Sequence, residues 1–381
     1  MKKGRKKPLE IAVIDQLEQS QNSKIDKEYM HFNRSAIRVT SNGIERLSTN
    51  KKNEQPYQFY NLKLSDIQNS GKRIGEGAAS AVEEGIIVPL NVKVAIKKIT
   101  VYDQNKRRQI ENDLIILQEN KEAQQNGCDF FVFMYDAFFN QGQVQIILEL
   151  MDFGSIKDVI KKIQILQKQH ITIMTEPILA RICQQILCGL MHLHIIYKQV
   201  HRDIKPANIL VNRQGQVKLT DFGVTKELEQ TDQKLLSQRG TTAYMSPERI
   251  DGAEYGQPSD IWSFGMIVYE LCIGQYPFGK EKQIIELHYL FESHQEKDKC
   301  FRLPEKSNFS NELKDFVSKC LYIDPLKRSK AVELLAHPFI LNNLMYEANL
   351  AQWLQDLDDQ SKQFIEEKTI IVPQQILEGA N

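Results

Sequence analysis

The sequence has no excess of charge of either sign: 49 Lys and Arg stand against 49 Asp and Glu, a formal net charge of zero. That balance argues against a whole-protein field for nucleic acid or anionic membrane, while leaving local patches open. Cysteine is scarce. The six, at positions 128, 183, 188, 272, 300 and 320, include no C-x-x-C pair. They read as reduced, mostly buried thiols of an intracellular protein, not as a disulfide framework or a zinc site. Long hydrophobic runs are missing too: the longest apolar stretch, Ile261 to Ile273, is broken by Glu270 and is too short for a bilayer. At the basic N-terminus only Ile11-Ala-Val-Ile14 precedes Asp15, which makes no signal-peptide core. The final Glu378-Gly-Ala-Asn381 has no prenylation pattern. No internal repeat is visible. The expectation is a cytoplasmic protein with neither nucleic acid nor membrane as a partner.

What is present is ordinary for a globular chain. Of 381 residues, 41% are apolar and 26% charged, and the length suits two domains or one large two-lobed one. Residues 1–64 are polar, with Gln, Asn, Ser and Lys between short apolar patches, and read as a partly ordered extension. From about Leu64 to Thr100 strand-like runs take over: Arg73-Ile74, Ser80 to Val82, Gly85 to Val88 and Val92 to Ile99. Residues 104–120 switch to helical spacing through Ile110, Leu114 and Leu117. Phe130 to Met134 and Val144 to Leu150 are further strand candidates, and then helices dominate, with Ile182, Ile186 and Leu190 forming a stripe within Pro177 to His194. The expected class is α+β: a small β-rich lobe, residues 65–151, joined near 149–154 to a larger helical lobe, residues 152–342. An acidic tail, 343–381, carries Leu350, Trp353, Leu354 and Leu357 at helix spacing.

Four motifs carry chemistry. Gly75-Glu-Gly77-Ala-Ala-Ser80-Ala-Val82 follows a strand candidate, and its glycines let backbone N–H groups approach phosphate oxygens. A tight hairpin turn explains this piece equally well. Twenty residues after Gly77, Val94-Ala-Ile-Lys97 ends a strand in a lysine that can meet phosphates as a point charge. His201-Arg-Asp203-Ile-Lys205-Pro-Ala-Asn208 places a carboxylate, a lysine and an amide within six residues. A carboxylate there can orient a hydroxyl and take its proton, and the amide oxygen suits magnesium. Eighteen residues after Asp203, Asp221-Phe-Gly223 sets a second carboxylate at a strand end, suited to a metal before a mobile segment.

In this order and spacing, the four motifs resemble the signature set of the protein kinases. The resemblance runs from about residue 70 to 342. Ser246-Pro-Glu248 stands where the family closes its activation segment with Ala-Pro-Glu, and Asp260-Ile-Trp262-Ser-Phe-Gly265 resembles the helix anchoring the larger lobe. Asp324-Pro-Leu-Lys-Arg328 implies an arginine paired with Glu248, and His337-Pro-Phe339 closes the lobe. Lys205, two residues after the base, looks like the Ser/Thr type of catalytic loop. Tyr244-Met-Ser-Pro-Glu-Arg249 narrows the likeness to the MAP kinase kinases, which phosphorylate both a Thr and a Tyr in a MAP kinase and are switched on by an upstream MAP kinase kinase kinase.

That resemblance implies ATP and Mg²⁺ as cofactors and assigns roles by position. Asp203, Lys205 and Lys97 are the expected catalytic residues, with Lys97 on the α- and β-phosphates. Asn208 and Asp221 would hold magnesium. Ile74, Gly75, Gly77 and Ser80 belong to the nucleotide loop, Val82 and Ala95 cover the adenine, and Leu148 is the gatekeeper. The backbone of Glu149 and Met151 would meet the adenine edge. Thr231 and Ser237, five residues between them, look like the plant-type activating phosphosites. The helix glutamate expected to pair with Lys97 appears as Asp113, which falls between Ile110 and Leu117, while Glu111 sits about 100° from Ile110. This shorter acid, together with Ser80 at the third glycine position, motivates a pseudokinase scaffold as a second class. A Ser/Thr kinase outside the subfamily is a third.

The ends offset each other. Residues 1–7 carry five bases, while 343–381 carry seven acids against two bases. Lys2, Lys3, Arg5, Lys6 and Lys7 before Leu9, Ile11 and Val13 resemble the motif by which these enzymes grip a MAP kinase; a solvated tail or a nuclear-import patch reads equally well. His31 to Thr49 resembles a segment preceding the kinase domain in plant members. The tail after 342 reads either as an upstream-kinase docking site or as a helix capping the larger lobe around Trp353. A monomer is expected.

Overall fold

The computed structural model describes residues 24–25, 29–32, 37–46, 62–77, 80–101, 107, 110–117, 129–168, 174–222, 242–279, 284–292 and 300–378. The chain divides into two compact units, Met1–Cys128 with Val132–Leu150, and Asp129–Phe131 with Met151–Asn381.

The first unit holds two antiparallel sheets. Four short strands, β1 (Lys24–Ile25), β2 (Tyr29–Phe32), β3 (Ile37–Thr40) and β4 (Gly43–Arg46), form a meander in chain order. Thr40 Oγ1 accepts the Asn42 N–H at 3.0 Å and donates to the Gly43 carbonyl at 3.2 Å, closing the β3–β4 turn. The reading of residues 1–64 as a partly ordered extension did not anticipate this sheet. Its alternating Met30, Phe32, Ile37, Val39 and Ile44 are buried.

The larger sheet runs β5 (Ile67–Gly77), β6 (Ser80–Ile87), β7 (Val92–Thr100), β9 (Gln143–Glu149), β8 (Met134–Asn140). Runs expected as two strands, Ser80 to Val82 and Gly85 to Val88, form the single strand β6, followed by a 3-10 turn, Val88–Leu90. In β7, Val94 and Ile96 pack with Leu62, Ile87, Phe138 and Ile147, so strand alternation sends Ala95 and Lys97 to the other face. Gln141 and Gly142 join β8 to β9 with φ of +49° and +76°, two left-handed residues as the twist of a two-residue hairpin demands. Helix α1, residues 110–117, buries Ile110, Leu114 and Leu117.

The expected strand Phe130 to Met134 is displaced. Regular pairing begins only at Met134, and Phe131 makes an isolated bridge to Leu219. The reason is tertiary: the Leu219 N–H donates to the Phe130 carbonyl at 2.9 Å, and Asp129 bonds the buried Lys218 and accepts Gln216 Nε2 at 2.8 Å.

The second unit is helical around a small sheet of β10 (Gly154–Ser155), β11 (Ile209–Val211) and β12 (Val217–Leu219). Helix α2 (Ile156–Gln167) starts on a capping box, in which Ser155 N–H and Oγ bond Asp158 Oδ2 at 3.0 and 2.6 Å. Helix α3 (Glu176–Met191) buries the Ile182, Ile186, Leu190 stripe and continues as one π turn, His192–Ile196. Glu176–Ile196 is long and apolar enough to cross a membrane by length and composition, but 61% of its apolar window is buried inside the protein. Then follow α4 (Pro247–Ile250), α5 (Gln257–Ile273), α6 (Ile284–Glu292), α7 (Asn311–Cys320), α8 (Ala331–Leu335), α9 (Pro338–Leu344) and α10 (Leu350–Glu378). Helix α5 is buried nearly all round, and a Cβ on Gly265 would stand 2.5 Å from Cys320 Cβ on α7. Only glycine allows these helices so close. Helix α10 packs on α2, and its Leu350, Trp353, Leu354 and Leu357 are buried.

Candidate active site

In the first unit, the β5–β6 hairpin sets Gly77 opposite Ser80 and Gly75 opposite Val82, with Ile74 exposed on the same strand. Ala95 lies opposite Leu148 across β7 and β9, and both are buried. Two places further along, Lys97 reaches toward α1, where its Nζ lies 3.2 Å from Asp113 Oδ2. Their side chains are 15% and 7% exposed, so the charges meet where screening is weak. Glu111, on the same helix, is buried as well. At the end of β9, the Glu149 N–H donates to the Phe133 carbonyl at 2.9 Å, and Phe133 N–H donates to Glu149 Oε1 at 2.6 Å.

In the second unit, Met151 is buried and its carbonyl accepts the Gly154 N–H at 3.1 Å. The loop before β11 gathers three of the expected residues on one carboxylate. Lys205 Nζ donates to Asp203 Oδ2 at 2.7 Å, and Asn208 Nδ2 donates to the same oxygen at 2.8 Å and to the Asp203 carbonyl at 2.9 Å. Pro206 opens the 3-10 turn Pro206–Asn208 that brings the amide round.

A buried brace holds this loop from below. Asp260, on α5, accepts the His201 N–H at 2.8 Å, the Arg202 N–H at 2.9 Å and a contact from His194 Nε2 at 2.8 Å. Burial pushes the Asp260 carboxyl up, yet the His194 contact and the nearby His201 hold it below the usual carboxylate value. Arg202 sits at φ +68°, a left-handed strain the brace maintains. His201 Nε2 lies 3.0 Å from the Thr220 carbonyl, tying the loop to the stretch that ends in Asp221, itself at φ +64°. Phe222 is buried with its ring centroid 5.2 Å from those of both Phe131 and His201. The braces His194 and Asp129 were not picked out in the sequence: a lone histidine after an apolar stripe and an aspartate outside any motif give no signal there.

Farther along, Arg328 Nη1 and Nη2 grip Glu248 Oε1 and Oε2, each at 2.8 Å, and Ser259 Oγ donates to Oε1 at 2.7 Å. Burial raises the Glu248 carboxyl, but the Arg328 fork outweighs it and leaves it lowered.

The donor set suits a hard divalent cation. With Nδ2 of Asn208 given to Asp203, its Oδ1 is the side chain's remaining oxygen donor, a hard ligand type like the Asp221 carboxylate. Among the described residues no group of three or more His, Cys, Asp or Glu could hold a metal by itself. A site that relies partly on phosphate oxygens needs no such group. Gly223, Thr231 and Ser237 lie outside the described residues, as does the basic segment 1–13.

The protein kinase domain family model matches residues 68–340. Mitogen-activated protein kinase kinase 2 of Arabidopsis thaliana is 36% identical over 308 residues, covering 77% of this chain and 78% of its own length. Mitogen-activated protein kinase kinase 3 of the same plant is 36% identical over 288 residues, 75% of this chain, which spans about half, 52%, of that relative. Dual specificity mitogen-activated protein kinase kinase 1 of Dictyostelium discoideum is 34% identical over 264 residues, 69% of this chain and 36% of that protein.

Proposed function

The chain belongs to the protein kinases and, among them, to the MAP kinase kinases, and we propose that it phosphorylates both a Thr and a Tyr in the activation loop of a MAP kinase. It is a protein kinase of bilobal α+β fold, and its family works with ATP and a divalent metal. The observation that carries the reading is the loop in which Lys205 and Asn208 converge on Asp203 Oδ2. With both donors on one oxygen, Oδ1 is the atom placed to accept the proton of an incoming hydroxyl. Lys205, 2.7 Å from the base, sets a positive charge beside the place where negative charge spreads over the transferring phosphoryl oxygens.

Lys97 is the phosphate-facing cation of the first unit, and its ion pair with Asp113 directs it although the acid is one methylene shorter than glutamate. We assign the metal as Mg²⁺, held by Asn208 and Asp221; bound there it would neutralise the phosphate oxygens. Lys97, Asp203, Asn208 and Asp221 are all present, which supports an active enzyme over a scaffold. Activation through Thr231 and Ser237 by an upstream MAP kinase kinase kinase, docking through residues 1–13, and action as a cytoplasmic monomer complete the proposal.

Incubating the full chain with radiolabelled ATP and a catalytically inactive MAP kinase tests it. Labelled phosphothreonine and phosphotyrosine in the substrate are expected. Label on serine and threonine alone would place it outside the subfamily, and ATP binding without transfer would make it a scaffold. Thr231→Ala/Ser237→Ala, treated with an upstream kinase, should stay at basal activity; full activation would remove these two sites.

A further inference from the structure

The β1–β4 meander lies before the stretch matched by the kinase family, and strands β2, β3 and β4 all pack against β8. The junction is built around one carboxylate. Asp136, in the middle of β8, is only 5% exposed. Its Oδ1 accepts the Ile44 N–H from β4 at 3.2 Å, across 92 residues of sequence, and its neighbour Ala137 N–H at 2.8 Å. Gly43 makes the approach possible: it sits at φ +112°, and a Cβ there would stand 3.0 Å from Asp136 Oδ2. A buried carboxylate stays in place only while its donors do.

Asp136 also marks an irregularity. The register of β8 against β9 slips between Met134 and Asp136, so Tyr135 bulges out of the ladder. Bulges re-aim the residues beside them. On the near side of this one, Met134 pairs with Leu148, and Phe133 exchanges bonds with Glu149 through its N–H and its carbonyl. The Phe133 ring stands edge-on to Tyr135 with centroids 5.0 Å apart. Leu148 is the expected gatekeeper, and Glu149 is one of the two residues, with Met151, whose backbone is expected to meet the adenine edge.

We propose that Asp136, held by the N-terminal meander, is a positioning residue for nucleotide recognition: it pins the β8 bulge that sets Leu148 and Glu149. The proposal rests on the kinase reading. It makes residues 24–46 a working part of the nucleotide-binding unit instead of a leader to it. Coupling of this kind is reciprocal, so nucleotide binding must also tighten the meander on β8.

The test uses the full chain. ADP affinity by calorimetry, with KM for ATP and kcat, is measured for the unaltered protein, Asp136→Ala, Asp136→Asn and Gly43→Ala. Asp136→Ala should weaken ADP binding and raise KM at least about fivefold with kcat within about twofold. Asp136→Asn keeps an acceptor oxygen and should restore most of that loss, which a merely structural vacancy would not predict. Gly43→Ala should shift affinity in the same direction as Asp136→Ala. A folded Asp136→Ala or Gly43→Ala chain with unaltered ADP affinity would overturn the proposal. If neither variant folds, hydrogen exchange on the unaltered chain decides: ADP should slow exchange at Ile44 and Ala137, and unchanged rates overturn it. Absence of ADP binding by the unaltered chain would instead remove the kinase reading, and the proposal with it.

Discussion

The N-terminal meander and the C-terminal helix both lie outside residues 68–340, and each is fastened to its own unit through a buried aspartate. The fastenings differ in kind. Asp136 receives the meander through a backbone N–H, that of Ile44, and favours a glycine beside it because Gly43 sits at φ +112° and a Cβ there would crowd the carboxylate at 3.0 Å. Asp358 stands on α10 and receives three cationic groups: Lys162 Nζ at 2.7 Å, Arg213 Nη2 at 3.0 Å and Lys362 Nζ at 2.8 Å. Lys162 and Arg213 also lie over the Phe153 ring, at 5.8 and 5.6 Å. An attachment made through backbone depends on local shape, whereas one made through ions depends on protonation. The meander should therefore respond to substitution at its glycine, and the helix to pH.

The largest expected effect would break the comparison if either end took part in the chemistry. Asp203→Asn should lower kcat about 10²- to 10⁴-fold while leaving the unfolding temperature nearly unchanged. A comparable loss of kcat in a folded Asp358→Ala chain would put the C-terminal end in the mechanism. Next comes the ion pair of the first unit. Asp113→Ala should reduce kcat/KM by about 10²-fold, and Glu111→Ala by much less. The reverse order in steady-state assays would overturn the assignment of Asp113 as the working partner of Lys97.

Apolar burial at the two ends can be matched directly. Phe32 and Leu357 are fully buried, and their replacement by alanine should lower stability by about 3–5 and 2–5 kcal/mol in denaturant titrations. A negligible loss for Phe32→Ala would show that the meander is not docked in solution.

The smallest effect is electrostatic. Burial pushes the Asp358 carboxyl up, but the bonds from Lys162, Lys362 and Arg213 outweigh it and hold it well below the usual carboxylate range. A depressed folded value means that this stabilisation is present above about pH 4, where the unfolded group ionises, and is lost as pH falls through the acid range. The unaltered chain should accordingly lose stability more steeply below about pH 4 than Asp358→Asn does. Parallel curves in acid titrations followed by circular dichroism would remove Asp358 from the account.

The same contrast governs how much was legible in the sequence. The C-terminal helix could be read because Leu350, Trp353, Leu354 and Leu357 recur at helical spacing within eight residues, and these four are buried. The meander could not, because its longest strands have only four residues, and the partner that fixes them lies on β8. The loop from His201 to Asn208 was legible for the reason that the helix was: its acid, lysine and amide are close in sequence, so their convergence is local. The braces His194 and Asp129 become visible only when distant segments meet.

Composition and spacing by themselves determined the class of fold, the order of the motifs and the residue types of the site, because each rests on interactions within a few residues. The tertiary structure decided where β8 begins, why Phe131 bridges β12, which strand receives the meander and which cations gather on Asp358. Those outcomes depend on hydrogen bonds and ion pairs between residues tens to hundreds of positions apart. Only the folded chain brings such groups together where water no longer satisfies them.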